Sequence, residues 1–399
     1  MTAGHHADDG RSAGAQRYAL VAGGGTAGHL QPALAIAEAL VDAGHDRGTI
    51  EFVGSERGQD AATLAGRGFP VTLLPGRGIV RSLAPRDVAR NVGSAWELLV
   101  AAGRAVRLVG RAKPRVVVAV GGYASLAGSV GALVHRVPLV LVNVDAVPGA
   151  ANRLLGRFAA ASAVGWEGTP LPRAVVTGTP VRPQIAAVDR SDAARSAARA
   201  ELGLAEGRSV VVVFGGSLGA RQINRAVDGM AARWDGRPDV AIYHIVGRRD
   251  WEAYADGPDV DRVVNAAAGP DGPDLVRVPY EERMPAVYAA ADLVVCRAGA
   301  MTVAELAAAG VPAVLVPLPG APGDHQTANA RVLERVGAAV LLPDPECTPA
   351  GLTTVVEGLL ADPERLGEMG RAAHALGRPD AAAAGAAVVD ANARPGGSR

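Results

Sequence analysis

The sequence predicts an α/β protein made of two doubly wound, Rossmann-like domains. Three observations carry this. Short apolar runs alternate with helical stretches along most of the chain, the pattern of βαβ units. The alternation restarts near residue 180, and both halves open with a strand, a glycine turn and a helix. The chain has 399 residues, 49% apolar and 4% aromatic, which suits two layered domains rich in Ala, Val and Leu.

The elements follow in order. Residues 1–16, rich in Gly, Ala, Asp and His, read as a disordered tail, so His5 and His6 read as mobile rather than metal-binding. Tyr18–Val21 starts the first strand, which runs into Gly23-Gly24-Gly25-Thr26-Ala27-Gly28-His29. A helix is expected from Pro32 to Leu40, with Pro32 in its first turn. The glycines permit a tight turn and close approach of backbone to a ligand. No Gly-Lys-Ser/Thr follows, so this is not a Walker loop, and no acidic residue stands where a dinucleotide fingerprint needs one. Further strands are expected at residues 48–53, 71–74, 116–120 and 137–142, with Gly121-Gly122-Tyr123 after the third of these. In the helix following residue 86, Val88, Val92, Trp96 and Leu99 recur near helical period and are expected in the core.

The second half starts after Thr179-Pro180-Val181-Arg182-Pro183. Residues 210–214 form a strand that meets Gly215-Gly216-Ser217-Leu218-Gly219, and further strands are expected at 240–246, 275–278, 293–296, 314–317 and 339–342. The stretch 295–329 is the most informative. The apolar run ending at Cys296 is broken by Gly299, a helix opens at Thr302 and stops at Gly310, and another strand (312–318) leads to Asp324, His325 and Gln326. Strand, glycine turn and helix N-terminus together make an anion site, because free N–H groups and the helix dipole favour a phosphate. Glu305, one turn into the helix, is placed to reach a ribose hydroxyl. The expected division is a tail (1–16), an N-terminal domain (17–180), a C-terminal domain (181–376), and a helix returning to the first domain with a final tail (377–399).

Composition narrows the function classes. Net charge is zero, so no nucleic-acid partner is implied. Lys113 is the only lysine; arginine supplies the remaining positive charge. Two cysteines, Cys296 and Cys347, argue against a disulfide framework, and Cys296 reads as core packing. Residues 1–16 lack the apolar core of a secretory signal, and no uncharged apolar run reaches membrane-spanning length. A cytoplasmic location is expected, with attachment to a membrane surface open. Asp259-Val260-Asp261 reads as a solvated turn with no apolar strand after it, so no bound metal and no cofactor are expected.

In combination, several motifs resemble the MurG family of GT-B glycosyltransferases over nearly everything from Tyr18 to about residue 390. They are the Gly23–His29 loop with Leu-Gln-Pro-Ala after it, Gly-Gly-Tyr-Ala-Ser at 121–125, Ala-Val-Pro-Gly-Ala-Ala-Asn-Arg at 146–153, Phe-Gly-Gly-Ser-Leu-Gly-Ala at 214–220, Cys-Arg-Ala-Gly-Ala-Met-Thr-Val-Ala-Glu at 296–305 and Asp-His-Gln-Thr-Ala-Asn-Ala at 324–330. The resemblance implies a GT-B fold, two such domains facing a cleft. It implies inverting transfer of N-acetylglucosamine from UDP-GlcNAc to the C4 hydroxyl of MurNAc in undecaprenyl-linked lipid I, giving lipid II. It also implies a peripheral place on the cytoplasmic face of the bacterial plasma membrane.

Carried over by motif, Arg182 and Ser217 match diphosphate-side contacts. Ala300, Met301, Thr302, Val303, Ala304 and Glu305 match the uridine-binding segment, with Glu305 on the ribose. Gln326 matches a residue on the sugar and Asn329 one close by. Thr26, Ala27 and Gly28 match the loop facing sugar and acceptor; Tyr123 belongs to the matching Gly-Gly-Tyr motif. His29 ends the loop, either as general base or as a cap that orients the turn. The pattern departs at Val142-Asn143-Val144-Asp145, where the family usually has His-Glu-Gln-Asn. Asp145 thus replaces an asparagine that helps hold the donor sugar, and a carboxylate near a diphosphate is repelled unless protonated or paired. His325 likewise stands where many relatives have glutamine. Two alternatives remain: another lipid or small-molecule acceptor on the same fold, or a non-catalytic nucleotide-sugar-binding protein.

For the membrane surface, Arg77-Gly-Ile-Val-Arg-Ser-Leu-Ala-Pro-Arg (77–86) is the candidate contact. Ile79, Val80 and Leu83 can enter an anionic interface while Arg77, Arg81 and Arg86 meet its head groups.

Overall fold

The computed structural model describes residues 16–24, 27–56, 60–75, 85–216, 219–234, 236–255, 262–266 and 272–396, with side chains except at 27, 85–96 and 265–266. His5, His6, Thr26, residues 77–84, Ser217 and Asp259–Asp261 lie outside the described residues, as do the side chains of Ala27, Arg86, Val88, Val92 and Trp96.

The elements are β1 (Ala19–Gly23), α1 (Ala27–Asp42), β2 (Ile50–Ser55), α2 (Asp60–Leu64), β3 (Val71–Leu74), α3 (Pro85–Ala112), β4 (Val116–Gly121), α4 (Gly122–Val134), β5 (Leu139–Asn143), α5 (Ala150–Leu155), β6 (Ala161–Val164) and β7 (Ala174–Val176). Then come α6 (Pro183–Ala186), α7 (Asp192–Leu202), β8 (Ser209–Phe214), α8 (Arg221–Arg233), β9 (Val240–Ile245), β10 (Val263–Ala266), β11 (Asp274–Val278), α9 (Met284–Ala290), β12 (Leu293–Cys296), α10 (Ala300–Ala309), β13 (Ala313–Leu315), α11 (His325–Arg335), β14 (Ala339–Leu341), α12 (Pro349–Leu360), α13 (Pro363–Leu376) and α14 (Ala381–Asn392).

Two compact units result. The first runs to Val142 and includes Leu155–Ala161 and Ala386–Arg399; the second holds Asn143–Leu154 and Ser162–Gly385. In the first, strands β3-β2-β1-β4-β5 lie side by side and parallel. In the second, the order is β10-β11-β9-β8-β12-β13-β14, parallel except for β10. Each order reverses direction beside its opening strand, at β1/β4 and at β8/β12. An open α/β sheet binds its ligand at such a point, outside the carboxyl ends of the strands.

The central strands β1, β4, β8, β9 and β12 are covered on both faces, which is why they read as unbroken apolar runs. Val210, Val212 and Phe214 of β8 join one core layer, whereas Val211 and Val213 join the other, the two-residue period of a strand. In the first unit, Leu20, Val117 and Leu139 pack with Ala101, Ala105 and Val109 of α3 and Ala127 of α4. The end of α14 closes on this unit. Asp390 accepts from the Tyr18 hydroxyl and lies 3.0 Å from His45 Nε2.

Some expectations are corrected. Helix α1 begins at Ala27, so Pro32 lies inside it rather than in its first turn. Proline supplies no N–H, and the Gly28 carbonyl loses its helical donor there. Leu99 is 66% exposed; the core face of α3 is built instead from small residues at 101, 105 and 109, which allow close approach of α4. Helix α10 opens at Ala300, two residues before Thr302, because Gly299 serves as its N-cap. Strand β10 follows the Asp259–Asp261 stretch, where no strand was expected.

A buried histidine makes stability depend on pH. His244 on β9 is fully enclosed; its Nε2 is 3.0 Å from Asn224 Oδ1, and its Nδ1 has no partner among the described residues. Asn224 donates its amide N–H to the Val246 carbonyl, so its oxygen accepts and His244 Nε2 is the donor. Burial, with Arg277 nearby, lowers the imidazole pKa from 6.5 to about 3. The unfolded chain therefore binds a proton that the native state refuses. Stability from this residue is fully present above about pH 6.5 and is lost as pH falls toward 3, by ~2 kcal/mol at pH 5. Denaturant unfolding between pH 7 and 5 should show this loss, and His244→Gln should flatten it. An equal slope in that variant would assign the acid sensitivity elsewhere.

Candidate active site

In the first unit, the two switch-point strands end in interlocked glycine turns. Gly23 of β1 pairs with Gly121 of β4 after a register shift. Gly122 has φ +79, and a β-carbon there would strike the Gly24 carbonyl oxygen. A β-carbon on Gly121 would lie 2.5 Å from His29 Cδ2 and 2.8 Å from Nε2. The His29 ring therefore lies directly on the second turn, and only glycine leaves it room. Gly28 and His29 stand in the first turn of α1 and are partly exposed. Tyr123, half-buried in the first turn of α4, has a hydroxyl with no partner among the described residues. Burial, assisted by the Glu97 charge, pushes its pKa up to about 12.

In the second unit, Gly219, just before α8, lies against the residue that follows β9. Its φ is +78, and a β-carbon there would overlap the Val246 carbonyl. The helix that follows, α8, has no side-chain cap. Nor has α10, which follows β12, the other switch-point strand. Their first-turn N–H groups are thus available for an anion.

Within 300–305 the residues divide by face. Val303 is fully enclosed in the core, and Ala300 and Ala304 are nearly so. Met301, Thr302 and Glu305 are partly exposed. The Glu305 carboxylate accepts a 2.9 Å bond from the Tyr288 hydroxyl and lies 3.5 Å from Arg182 Nη2. Burial raises the Glu305 pKa; Arg182 and the Tyr288 bond oppose this.

Asn329 is fully enclosed and ties three segments together. Its amide donates to Asp145 Oδ1 (2.9 Å) and to the Ala298 carbonyl (3.2 Å), and its oxygen accepts from Ala146 N (2.8 Å). Asp145 is therefore paired, by an amide rather than a cation. Asn143 supports the same loop, donating to the Asp145 carbonyl and accepting from Asn152. Gln326 accepts from Leu318 N at 3.0 Å, which leaves its NH2 group to donate.

The structure thus brings Arg182 to Glu305 and Asn329 to Asp145, and it sets Gln326 in the first turn of α11. Sequence reasoning missed Tyr288, fully buried on α9, and Asn143. No local signal marks Tyr288, because its link to Glu305 is made only by tertiary packing. Among the described residues, no cluster of His, Cys, Asp or Glu could hold a metal, and no helix is long and apolar enough to cross a membrane.

Comparison with known proteins agrees with this architecture. Residues 19–164 match the glycosyltransferase family 28 N-terminal domain and residues 210–384 its C-terminal domain. A protein of Acidothermus cellulolyticus is 41% identical over 367 residues, covering 91% of this chain and 95% of the relative. One from Desulforudis audaxviator is 36% identical with the same coverage. Both carry the name UDP-N-acetylglucosamine–N-acetylmuramyl-(pentapeptide) pyrophosphoryl-undecaprenol N-acetylglucosamine transferase. The crystal structure of Acinetobacter baumannii MurG is similar at a TM-score of 0.71 and 29% identity, over 95% of this chain and 99% of that one. The fold is GT-B, and the chain belongs to the MurG family of family 28 glycosyltransferases.

Proposed function

We propose that the chain transfers GlcNAc from UDP-GlcNAc to the C4 hydroxyl of MurNAc in lipid I, forming lipid II in peptidoglycan synthesis. The observation that carries this reading is Glu305. It is a carboxylate on the first turns of a helix with no side-chain cap, next to the switch point of the second sheet, in a chain of the MurG family. In this reading the ribose lies on Glu305, with Met301 and Thr302 beside it. The diphosphate takes the free N–H groups opening α8 and α10, and the amide of Gln326 donates to the sugar. Asp145, held by Asn329, faces the sugar as an acceptor of hydroxyl protons. Gly28, Tyr123 and His29 serve the acceptor side, and Thr26 and Ser217, outside the described residues, keep the roles their motifs imply.

Transfer is a direct displacement. The C4 oxygen of the acceptor bonds to C1 of GlcNAc with inversion, the C1–O bond to UDP breaks, and His29 takes the hydroxyl proton. The product is β-1,4-linked. Glu305→Ala should weaken UDP binding by ~1–3 kcal/mol through loss of charged hydrogen bonds. Calorimetry showing unchanged UDP affinity would remove Glu305 from the site.

The acceptor carries a long lipid tail, which supports a peripheral place on the cytoplasmic face of the membrane. The protein should co-sediment with anionic vesicles and be released by high salt. Absence of vesicle binding at low salt would contradict that location.

A further inference from the structure

Glu305 is held on both oxygens before any ligand arrives. Tyr288, fully enclosed, donates its hydroxyl to Oε2, and Arg182 Nη2 stands 3.5 Å from Oε1. The Glu305 side chain is 13% exposed, whereas that of Arg182 is 39% exposed. A carboxylate has about four lone-pair positions. Tyr288 occupies one on Oε2 and Arg182 draws on Oε1, so each oxygen keeps one position for a ligand. Two acceptors on one rigid carboxylate match the two donors of a cis-diol. A carboxylate this enclosed also needs a counter-charge to stay ionised, and burial indeed opposes its ionisation while Arg182 favours it.

We propose that Arg182 and Tyr288 are positioning residues that hold the Glu305 carboxylate charged and oriented as a two-oxygen clamp for the ribose cis-diol of the donor. Arg182 then acts at the nucleoside end of UDP-GlcNAc, not as a ligand of its diphosphate. The inference rests on the reading that Glu305 binds the ribose.

The test titrates the full-length chain with uridine, UDP and 2′-deoxy-UDP, following binding by NMR or calorimetry. Arg182→Gln should weaken uridine and UDP by the same factor, about ten-fold, the loss expected for one charged hydrogen bond. In that variant the fall of UDP affinity on acidification should begin at higher pH than in the wild type, because Glu305 has lost its counter-charge. Arg182→Lys should restore the wild-type pH profile. Tyr288→Phe keeps the ring in place and should narrow the preference for UDP over 2′-deoxy-UDP.

A merely structural role for Arg182 would not move the pH profile. Loss of UDP affinity in Arg182→Gln with uridine binding intact would make Arg182 a diphosphate ligand and overturn the inference, as would an unmoved profile. If Tyr288→Phe fails to fold, the partly exposed Arg182 decides alone. Unchanged UDP affinity in Glu305→Gln would instead remove the ribose reading itself, so the two failures are distinguishable.

Discussion

His29→Ala is expected to lower turnover by about 10²–10⁴-fold, the usual contribution of a positioned general base. UDP affinity should stay at the wild-type level, because the residues proposed to hold UDP belong to the second unit. The expectation comes from geometry as well as motif. The His29 ring lies on the Gly121–Gly122 turn, where two glycines clear its place and the end of β4 fixes its height. Such packing also suits a purely orienting side chain, so a second variant is needed. His29→Gln keeps the polar shape but cannot accept a proton at neutral pH. Single-turnover kinetics should show both variants equally slow. A glutamine variant with near-normal turnover would make His29 a cap of the glycine loop and leave the base to another group.

Asn329→Ala should cost about 3–5 kcal/mol of stability, as several buried polar groups lose partners at once. The truncation leaves the Asp145 carboxylate without its amide donor, and Ala146 N and the Ala298 carbonyl without their partners. The protein should melt at lower temperature, and UDP affinity should fall with it, since Ala298 directly precedes the glycine that caps α10. Asn329→Asp is the informative companion. It keeps the size but sets one carboxylate against another, and it should be as destabilising at neutral pH and recover in acid. Melting curves within about 1 °C of wild type for Asn329→Ala would mean that these bonds are readily replaced by water.

The fold was legible because both sheets are mainly parallel and their central strands are enclosed. These strands are unbroken apolar runs, and their turns need glycine for steric reasons at positions such as Gly122 and Gly219. What the sequence hid is short or relational. Strand β7 is three residues, Ala174–Val176, all exposed, so it carries no burial period to read. Leu99 fits a helical period but not the core face, because the small residues of α3 decide where α4 approaches. The site was legible where one local stretch supplies both scaffold and chemistry, as at Gly299–Glu305. It was illegible where a role depends on a distant partner. Asn329 meets Asp145 across 184 positions, and Tyr288 meets Glu305 from a neighbouring helix. The departure at Asp145 looked like an unpaired carboxylate; the buried amide that answers it could not be assigned from sequence alone.

The most direct measurement is an assay of the purified chain with labelled UDP-GlcNAc and a short-chain lipid I analogue, with the product analysed by NMR. The expected product is a new disaccharide with one GlcNAc joined β-1,4 to MurNAc and one UDP released per bond formed. UDP-GlcNAc binding without transfer to that acceptor, or an α-linked product, would contradict it.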